Sequence, residues 1–380
     1  MKTRHHIVVL DPISFVGGSK VATESILQLL DTDITRITVL TADFKSWKDS
    51  KFKRKRLYEP DFLSQKTQGI PYFIRHIIIA VQLLILRIRY GHIDITVGAS
   101  GPGVDLALYL IKPFLKTKIV QLIHGPVAKS RTIGRCLLAA SDVYYLESTQ
   151  QSILDAISRF SNSEILDIPS CFHIMQNGLS DSVWPSICQT QEPVIFWAAS
   201  LLKWKGLTTL LNALQNIDNQ IRPLTNICYI QPVDTQLAIT QAPVSIENVC
   251  WYENPTNIDQ IRSSSNIFIS TSVNEPFGLS ILEAMAAGHC VLIPDDGAYW
   301  DRILTNNTNC IKYKANDVSD LADKIVMLRN NLELVIKLGN SAHKLALQYR
   351  ADIKYAEIKE ILENTQNTVT TEKLKSVITS

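Results

Sequence analysis

Short apolar runs alternate with longer amphipathic stretches along nearly the whole chain. In the first half, the apolar runs that predict strands cover residues 7–10, 37–40, 93–97, 118–123 and 143–146. The intervening stretches that predict helices cover residues 19–30, 74–90, 104–114, 133–140 and 149–160. Strands that alternate with helices of this length are typical of βαβ units around a parallel sheet.

A second alternating series begins at residue 194. Its predicted strands cover residues 194–198, 227–230, 249–252, 267–270, 291–293 and 310–313. Its predicted helices cover residues 207–213, 258–262, 279–287, 318–329 and 332–363. Residues 182–193 between the two series hold two prolines and little periodicity, which indicates a linker.

These patterns predict an α/β protein with two doubly wound, Rossmann-like domains that face a central cleft. We expect an N-terminal domain at residues 1–185 and a C-terminal domain at residues 186–350. Residues 351–380 are expected to form a C-terminal helix, which could pack back on the N-terminal domain, and a polar tail. In such sheets, ligands bind outside the carboxyl ends of the strands, so the loops that follow strands are the places to search for chemistry.

Composition narrows the class of protein. Among 380 residues, 46% are hydrophobic and 19% charged, which excludes wholesale disorder. The 38 basic and 36 acidic residues nearly cancel, which argues against a dedicated nucleic-acid binder. Seven scattered cysteines, none in a CxxC pair, indicate reduced thiols in a cytoplasmic protein and no zinc site.

The apolar runs are too short for targeting or membrane spanning. Residues 7–10 are fewer than a signal peptide needs, and a first strand explains them better. The longest run, residues 77–86, falls short of the roughly 20 residues of a membrane span. We therefore expect a cytoplasmic protein whose membrane contact, if any, is peripheral.

The strongest local signal is the sequence EPFGLSILEAMAAG at residues 275–288, between a predicted strand and a predicted helix. Gly278 permits close backbone approach, so the free N–H groups of the first helical turn could bind a diphosphate. Glu283, one turn further, could accept hydrogen bonds from ribose hydroxyls, and Glu275 from sugar hydroxyls. An ordinary amphipathic helix with acids near its N-terminus is the alternative, but it does not explain a Pro-Phe-Gly entry between two glutamates.

This motif resembles the signature of the retaining GT-B glycosyltransferases of family 4. Four weaker features in the same order strengthen the resemblance: Gly17 and Gly18 are similar to that family's glycine loop, His124 to its cleft histidine, Asn177 and Gly178 to its Asn-Gly turn, and Lys205 and Gly206 to its Lys-Gly pair. The resemblance implies transfer of a sugar from a nucleotide diphosphate sugar to a sugar acceptor, with retention. It also implies that the C-terminal domain holds the donor and that no metal or cofactor is needed.

The resemblance assigns roles to individual residues. The catalytic candidates are Glu275, His124 and Lys205. The candidates for donor binding are Gly17, Gly18, Lys203, Lys205, Phe277, Gly278, Leu279 and Glu283. The alternatives, in which these residues have only a structural role, are a tight turn for the two glycines, a hydrogen-bonded polar residue for His124 and an exposed lysine for Lys205.

One departure from the family pattern concerns the donor phosphates. The family has an arginine a few residues before Lys205, where this chain has Ser200. Lys203 is the nearest cation that could replace it, although a lysine lacks the bidentate fork of arginine. If the loop is extended, Lys203 and Lys205 both reach the cleft, while Trp204 faces the other way and packs on the domain.

Two further motifs are interpreted as structural. Asp31 and Asp33 form an Asp-x-Asp pattern, but they lie between a helix and the next strand, at the wrong end of the sheet for chemistry. The glycine-rich segment at residues 98–103 has the wrong order for a dinucleotide loop and indicates a turn. No cluster of histidine, cysteine and carboxylate residues suggests a metal site.

A basic stretch interleaved with aromatic residues runs from Lys45 to Arg56, and the apolar helix predicted at 74–90 follows it. It is either a solvated loop beside a buried helix or a surface for peripheral contact with an anionic membrane, at the cytoplasmic face of the inner membrane.

We therefore expect a glycosyltransferase of the hexosyltransferase type that uses a nucleotide sugar and an acceptor, lipid-linked by analogy with the family. The resemblance suggests a role in lipopolysaccharide, capsule or exopolysaccharide biosynthesis. The alternatives are a degenerate homologue that binds nucleotide sugar or scaffolds an assembly without turnover, and a GT-B-like nucleotide-sugar epimerase.

Overall fold

The computed structural model describes residues 4–14, 17–44, 46–64, 66, 68–163, 167–232 and 237–364. The chain divides into two compact units. The first contains the described residues up to Met175 together with those from Tyr355 onward, and the second contains Gln176–Lys354.

The first unit is built on a seven-stranded parallel sheet. Its strands are β1 (His5–Asp11), β2 (Thr35–Thr41), β3 (Phe52–Arg56), β4 (Ile95–Gly98), β5 (Lys118–Ile123), β6 (Asp142–Leu146) and β7 (Phe172–Met175). Their order across the sheet is β3-β2-β1-β4-β5-β6-β7. Its helices are α1 (Gly18–Gln28), α2 (Asp61–Ser64), α3 (Gly69–Tyr90), α4 (Leu106–Leu115), α5 (Arg131–Ala139), α6 (Gln150–Ser161) and the last described helix, Ala356–Glu363.

The second unit has a six-stranded parallel sheet. Its strands are β8 (Val194–Ser200), β9 (Leu224–Ile230), β10 (Val249–Glu253), β11 (Ile267–Ile269), β12 (Cys290–Asp295) and β13 (Ile311–Lys314). Their order is β10-β9-β8-β11-β12-β13. Its helices are α7 (Leu207–Gln215), α8 (Ile258–Ser263), α9 (Leu279–Ala286), α10 (Tyr299–Ile303), α11 (Val318–Arg329), α12 (Leu332–Ala346) and α13 (Ala351–Lys354).

Continuous burial of the central strands explains why the chain forms these sheets. In β1, Ile7, Val8, Val9 and Leu10 are fully buried, as expected for a parallel strand covered by helices on both faces. The predicted α/β class with two doubly wound parallel sheets is confirmed.

The sequence pattern missed the edges of the first sheet. The basic stretch contains a strand, β3, in which only Phe52 is buried, so it lacks the apolar run that identifies central strands. Strand β7 at the other edge was missed for the same reason. The single helix predicted at 332–363 is wrong, because a 3₁₀ turn at Leu347–Tyr349 follows α12 and shorter helices follow that turn.

Residues 182–193, predicted as a linker, are attached to the second unit. The Cys188 N–H donates to the Ala287 carbonyl at 2.8 Å, and the Gln189 N–H donates to the Ser263 carbonyl at 2.8 Å. The side chain of Ser186 donates to Asp259 at 2.7 Å. This segment is therefore held along the helices of the second unit.

Helix α3, with 22 residues, is long and apolar enough to cross a membrane by length and composition. One of its faces nevertheless belongs to the core of the first unit, where Ile79, Leu83 and Leu86 pack with residues of β1 and α4. Helix α3 therefore covers the sheet of the first unit, as expected from the alternative of a solvated loop beside a buried helix.

Three buried histidines and His124, a half-buried residue whose ring nitrogens are enclosed, tie the stability of the chain to pH. Burial disfavours the charged imidazolium and lowers the pKa of His6, His76 and His124 to about 4, and that of His289 to about 3. Between about pH 6.5 and these values the unfolded chain binds more protons than the folded one. As far as these histidines are concerned, the free energy of unfolding should therefore be at its maximum above about pH 6.5 and should fall as the pH decreases toward 4.

We expect His76→Leu to weaken this pH dependence without loss of stability at pH 7.5, because both ring nitrogens of His76 are buried without a hydrogen-bond partner among the described residues. Urea denaturation across this pH range measures both effects. His6→Leu is the matched control. It removes a bond between the ring Nε2 and Thr38 Oγ1 at 2.9 Å, so it should also cost about 1 kcal/mol at pH 7.5. A wild-type pH profile for His76→Leu would contradict this account.

Candidate functional site

The second sheet reverses its strand order between β8 and β11. From β8 the chain proceeds to β9 and β10 on one side, and from β11 to β12 and β13 on the other. Crevices at the carboxyl ends of such strand pairs are the usual ligand sites of doubly wound sheets. The loop after β8 holds Lys203 and Lys205, and the loop after β11 holds Glu275 and Gly278, so the sheet brings these predicted residues to one edge.

Lys205 and Glu275 form an ion pair at this edge. Lys205 Nζ lies 2.6 Å from Glu275 Oε2, and the two side chains are 19% and 15% exposed. The ammonium group also lies 4.0 Å from the centre of the Trp204 ring, a cation–π contact. A cation and a carboxylate thus face each other, largely shielded from solvent.

The loop after β8 is joined closely to the loop after β11. Thr271 Oγ1 donates to the Lys205 carbonyl at 3.0 Å and accepts from Trp197 Nε1 at 3.1 Å. Gly206 adopts φ 72°, and a Cβ there would lie 1.9 Å from the Thr271 carbonyl oxygen. Only glycine allows this approach, which fixes the backbone that carries Lys205.

The structure corrects the expectation of an extended loop around Lys203. Lys203–Lys205 form a 3₁₀ turn, in which residues two apart point in different directions because a turn takes about three residues. Trp204 was expected to face away from the two lysines and pack on the domain, but it is 37% exposed and its ring contacts Lys205. Ser200 is the last residue of β8 and Lys203 is exposed, so a phosphate contact by Lys203 stays a prediction without geometric support.

Helix α9 begins beside the ion pair. Gly278 precedes it with φ 81° and ψ 73°, and a Cβ at Gly278 would lie 3.0 Å from Glu275 Cγ. The Gly278 carbonyl accepts from Trp300 Nε1 at 3.2 Å. The Ile281 and Leu282 N–H groups donate to the Gly278 carbonyl at 3.1 and 3.3 Å, so the N–H groups of the first two helical residues, Leu279 and Ser280, are available to an anion.

The ring of Phe277 supports this loop from behind. It is 2% exposed and its centre lies 4.7 Å from Tyr299 and 5.3 Å from Trp300. The side chain therefore cannot touch a donor, and Phe277 can contribute to binding only through its backbone.

Glu283 is held by an arginine that the sequence interpretation did not single out. Arg262 of α8 lies 2.7 Å from Glu283 Oε2 and 3.0 Å from Asp259 Oδ1, with its side chain 6% exposed. Burial raises the pKa of Glu283, and the Arg262 guanidinium acts in the opposite direction. The only signal in the sequence was an Asp and an Arg three residues apart on a short helix, which is common on any helix.

The consequence for Glu283 is that one carboxylate oxygen is occupied. Among the described residues, Arg262 is the partner of this carboxylate, through Oε2. The backbone of Arg262 is fixed in turn, because its carbonyl is 3.0 Å from the Nε2 atom of buried His289. Glu283 is thus oriented, with Oε1 left for a ligand.

In the first unit, Gly17 and Gly18 lie where α1 begins, after β1. The order of this sheet reverses between β1 and β4, so this loop is also at a switch point. Lys20, in the first turn of α1, is buried and forms ion pairs with Asp11 at 3.0 Å and with Asp43 at 3.1 Å. These buried charges attach the glycine turn firmly to the ends of β1 and β2.

His124 follows β5 in the first unit. Its two ring nitrogens are buried and have no hydrogen-bond partner among the described residues. Because burial lowers its pKa to about 4, the ring is neutral at pH 7. A neutral imidazole with both nitrogens unused can donate one hydrogen bond and accept another.

The glycine-rich segment at 98–103 forms a turn, as interpreted from the sequence. A Cβ at Gly98 would lie 2.7 Å from Gln121 Oε1, and the Gln121 amide donates to buried Asp105 at 2.9 Å. The segment is therefore packed against side chains of its own unit. Asp31 likewise forms a turn, in which its Oδ1 accepts from the Asp33 N–H at 2.8 Å.

Comparisons with known proteins agree with this architecture. The fold is that of the GT-B glycosyltransferases: Anabaena HepE, solved with UDP and glucose, superposes with a TM-score of 0.70 at 15% identity over 94% of this chain and 99% of that chain. Residues 184–345, most of the second unit, match the family described as glycosyl transferases group 1.

Two relatives show more distant likeness in sequence. Alpha-maltose-1-phosphate synthase of Mycolicibacterium smegmatis is 24% identical over 250 residues, which cover 60% of this chain and 62% of that protein. N,N'-diacetylbacillosaminyl-diphospho-undecaprenol alpha-1,3-N-acetylgalactosaminyltransferase of Campylobacter jejuni is 30% identical over 98 residues, 26% of each chain. The matched segments span less than two thirds of either relative.

The close approach of Gly206 to Thr271 generates a prediction about stability. Gly206→Ala should lower the free energy of unfolding by more than about 2 kcal/mol, because the new Cβ collides with a backbone carbonyl. The matched control is Gly297→Ala. Gly297 has nearly the same φ, 75°, but a Cβ there meets nothing within 4 Å, so the cost should be only about 1 kcal/mol of backbone strain. Equal losses in thermal melts of the two variants would refute the steric explanation.

Proposed function

We propose that the protein is a retaining, metal-independent glycosyltransferase of family 4 that transfers a hexose from a nucleotide diphosphate sugar to a sugar acceptor. The observation that carries the proposal is the Lys205–Glu275 ion pair beside the start of α9, at the switch point of the second sheet. Such a site combines a cation, free N–H groups and a carboxylate, which are the groups that a diphosphate and a sugar require.

The diphosphate would lie against the N–H groups at Leu279, with Lys205 as its counter-charge. When the bond between the sugar and the diphosphate breaks, negative charge grows on the leaving group. Lys205 and the helix start lower the energy of that state, because they are already oriented by Gly206 and Gly278. Glu275 loses part of its pairing with Lys205 as the phosphates arrive and can accept hydrogen bonds from the sugar hydroxyls.

Glu283 would bind the ribose. Arg262 occupies Oε2, so Oε1 is the oxygen that accepts from a ribose hydroxyl. In the family account, His124 lies near the transferred sugar, and its unused ring nitrogens suit a hydroxyl contact. Retention fits the family's account, in which the acceptor attacks from the face that the leaving group departs from.

The acceptor is proposed to be lipid-linked, in the biosynthesis of a surface polysaccharide such as lipopolysaccharide, capsule or exopolysaccharide. Support comes from the Campylobacter relative, whose name specifies an undecaprenol-linked acceptor. We place the protein in the cytoplasm at the inner face of the membrane, with an anionic membrane surface contacted through the segment from Lys45 to Arg56. Lys45 itself lies outside the described residues.

Release of nucleotide diphosphate from a panel of nucleotide sugars, with and without acceptor extracts, tests the proposal. The transferase releases nucleotide diphosphate in an acceptor-dependent way. An epimerase converts the donor without acceptor. A second candidate, a homologue that binds nucleotide sugar without turnover, is favoured by Ser200 in place of the family arginine, and it would raise the melting temperature with a nucleotide sugar but release nothing.

The two glutamates should have different functions. Glu283→Gln is expected to weaken binding of the donor and of the bare nucleotide diphosphate alike, by about tenfold, because the ribose contact is common to both. Glu275→Gln should lower turnover while affinity for the nucleotide diphosphate stays nearly unchanged, because its partner is the sugar. Calorimetry with both ligands and a turnover assay make the comparison, and the opposite assignment would refute these roles.

The cations after β8 should contribute unequally. Lys205→Ala is expected to lower turnover by at least about 100-fold, because a donor of transition-state charge stabilisation is lost. Lys203→Ala serves as the neighbouring comparison: if Lys203 replaces the missing arginine, turnover falls and Ser200→Arg partly restores it. Wild-type turnover and donor affinity in Lys203→Ala would show that Lys203 does not bind the phosphates.

A further inference from the structure

The candidate ribose carboxylate is the end of a chain of polar contacts that begins in the segment before β8. The Arg262 guanidinium uses a different nitrogen for each of two acids: Nη2 lies 2.7 Å from Glu283 Oε2, and Nη1 lies 3.0 Å from Asp259 Oδ1. Asp259 is held in turn by Ser186, whose backbone N–H donates to Oδ1 at 3.1 Å and whose hydroxyl donates to Oδ2 at 2.7 Å. Residues 182–193, α8 and α9 are therefore connected through four side chains.

The guanidinium of Arg262 has a fixed position. Its side chain is 6% exposed, and its Cζ atom lies 5.9 Å from the centre of the buried Phe196 ring. The Arg262 carbonyl is fixed as well, because it lies 3.0 Å from His289 Nε2 and accepts from the Ser265 N–H at 2.9 Å. Since both the backbone and the side chain of Arg262 are held, the position of Glu283 Oε2 is held too.

The charges of this group favour a neutral ligand. Arg262 carries one positive charge and is shared by two carboxylates, so the three side chains have a net charge of −1. An ionised carboxylate only accepts hydrogen bonds, and a net negative charge disfavours a phosphate at the same place. The free oxygen of Glu283 therefore suits hydroxyl groups, and in a nucleotide the neutral hydroxyl donors are those of the ribose.

We propose that Arg262 is the positioning residue that makes this site select a ribose with its hydroxyls, and that Asp259 and Ser186 act on the ribose through Arg262. With Oε2 held, Glu283 presents Oε1 in one orientation, so little rotamer freedom is lost when the hydroxyls bind. A nucleotide without these hydroxyls leaves the charged oxygen without a partner, which lowers affinity. The proposal deepens the proposed function, since it rests on Glu283 as the ribose ligand, and it makes residues 182–193 part of the nucleotide site.

The experiment measures by calorimetry the affinity of the full chain for UDP and GDP and for their 2′,3′-dideoxy analogues, which lack both ribose hydroxyls. The readout is the preference, the ratio of the affinities for the two sugars on one base. Wild-type protein should prefer the ribonucleotide by at least about tenfold, because hydrogen bonds to a charged group are lost with the hydroxyls. Arg262→Met should reduce the preference to about twofold or less, while affinity for the dideoxy nucleotide stays nearly unchanged.

Two milder variants test the same chain if Arg262→Met does not fold. Arg262→Lys keeps the positive charge but lacks the fork that reaches both acids, so its preference should be intermediate. Asp259→Asn changes a side chain that is 46% exposed, and it should reduce the preference by about threefold. Combining Arg262→Met with Glu283→Gln should give the preference of Glu283→Gln alone, because Arg262 acts through Glu283.

Arg222→Met is the matched control. Arg222 lies in the same unit and is 8% exposed, against 5% for Arg262. Its guanidinium donates to backbone carbonyls, those of Leu214, Ile217 and Glu247, and it precedes β9, at the end of the sheet opposite the site. This variant should lower the melting temperature but keep the wild-type preference.

Three results would overturn the proposal. One is an unchanged preference in Arg262→Met while Glu283→Gln loses it, which leaves the proposed function standing. Another is an equal loss of affinity for both sugars in Arg262→Met, which would show that Arg262 only stabilises the fold. The third is equal binding of ribonucleotide and dideoxy nucleotide by the wild type, which would refute the ribose role of Glu283 itself, on which both proposals depend.

Discussion

The close contact between the loops after β8 and β11 is the constraint on which the site of the second unit depends. Gly206 approaches the Thr271 carbonyl so closely that no Cβ fits between them, and Thr271 also binds the Lys205 carbonyl. Because the two loops follow neighbouring strands at the point where the strand order reverses, their side chains meet at one edge of the sheet. The Lys205–Glu275 ion pair is the result.

Orientation by neighbouring charges recurs around this site. Arg262 is paired with Glu283, and Lys205 is paired with Glu275. Each of the two carboxylates that are candidates to accept hydrogen bonds from a ligand is therefore held by a cation. A paired, partly buried carboxylate keeps its position at less entropic cost when a ligand binds, because its side chain is already ordered. In the first unit, the buried Lys20 pairs with Asp11 and Asp43 and in the same way fixes the position of the glycine turn.

The first unit combines two kinds of surface on one helix. The inner face of α3 contributes to the core, and its outer face remains apolar although it meets solvent. A helix that only covered a sheet would carry polar residues on its outer side. Ile77 and Ile85 on this outer face are 55% and 54% exposed, so burial in the core does not explain why these side chains are apolar.

The sequence by itself determined the alternating elements of both sheets and the EPFG motif, because buried parallel strands are continuous apolar runs and because glycine and proline mark a helix start. It did not determine the edge strands β3 and β7, whose residues are too little buried to form such runs. It also could not show that Lys203–Lys205 form a 3₁₀ turn, that Phe277 is buried, or that Arg262 holds Glu283. These features depend on contacts between residues distant in the chain, since a side chain's partner is decided by which strands and loops become neighbours, and periodicity along one segment carries no information about that.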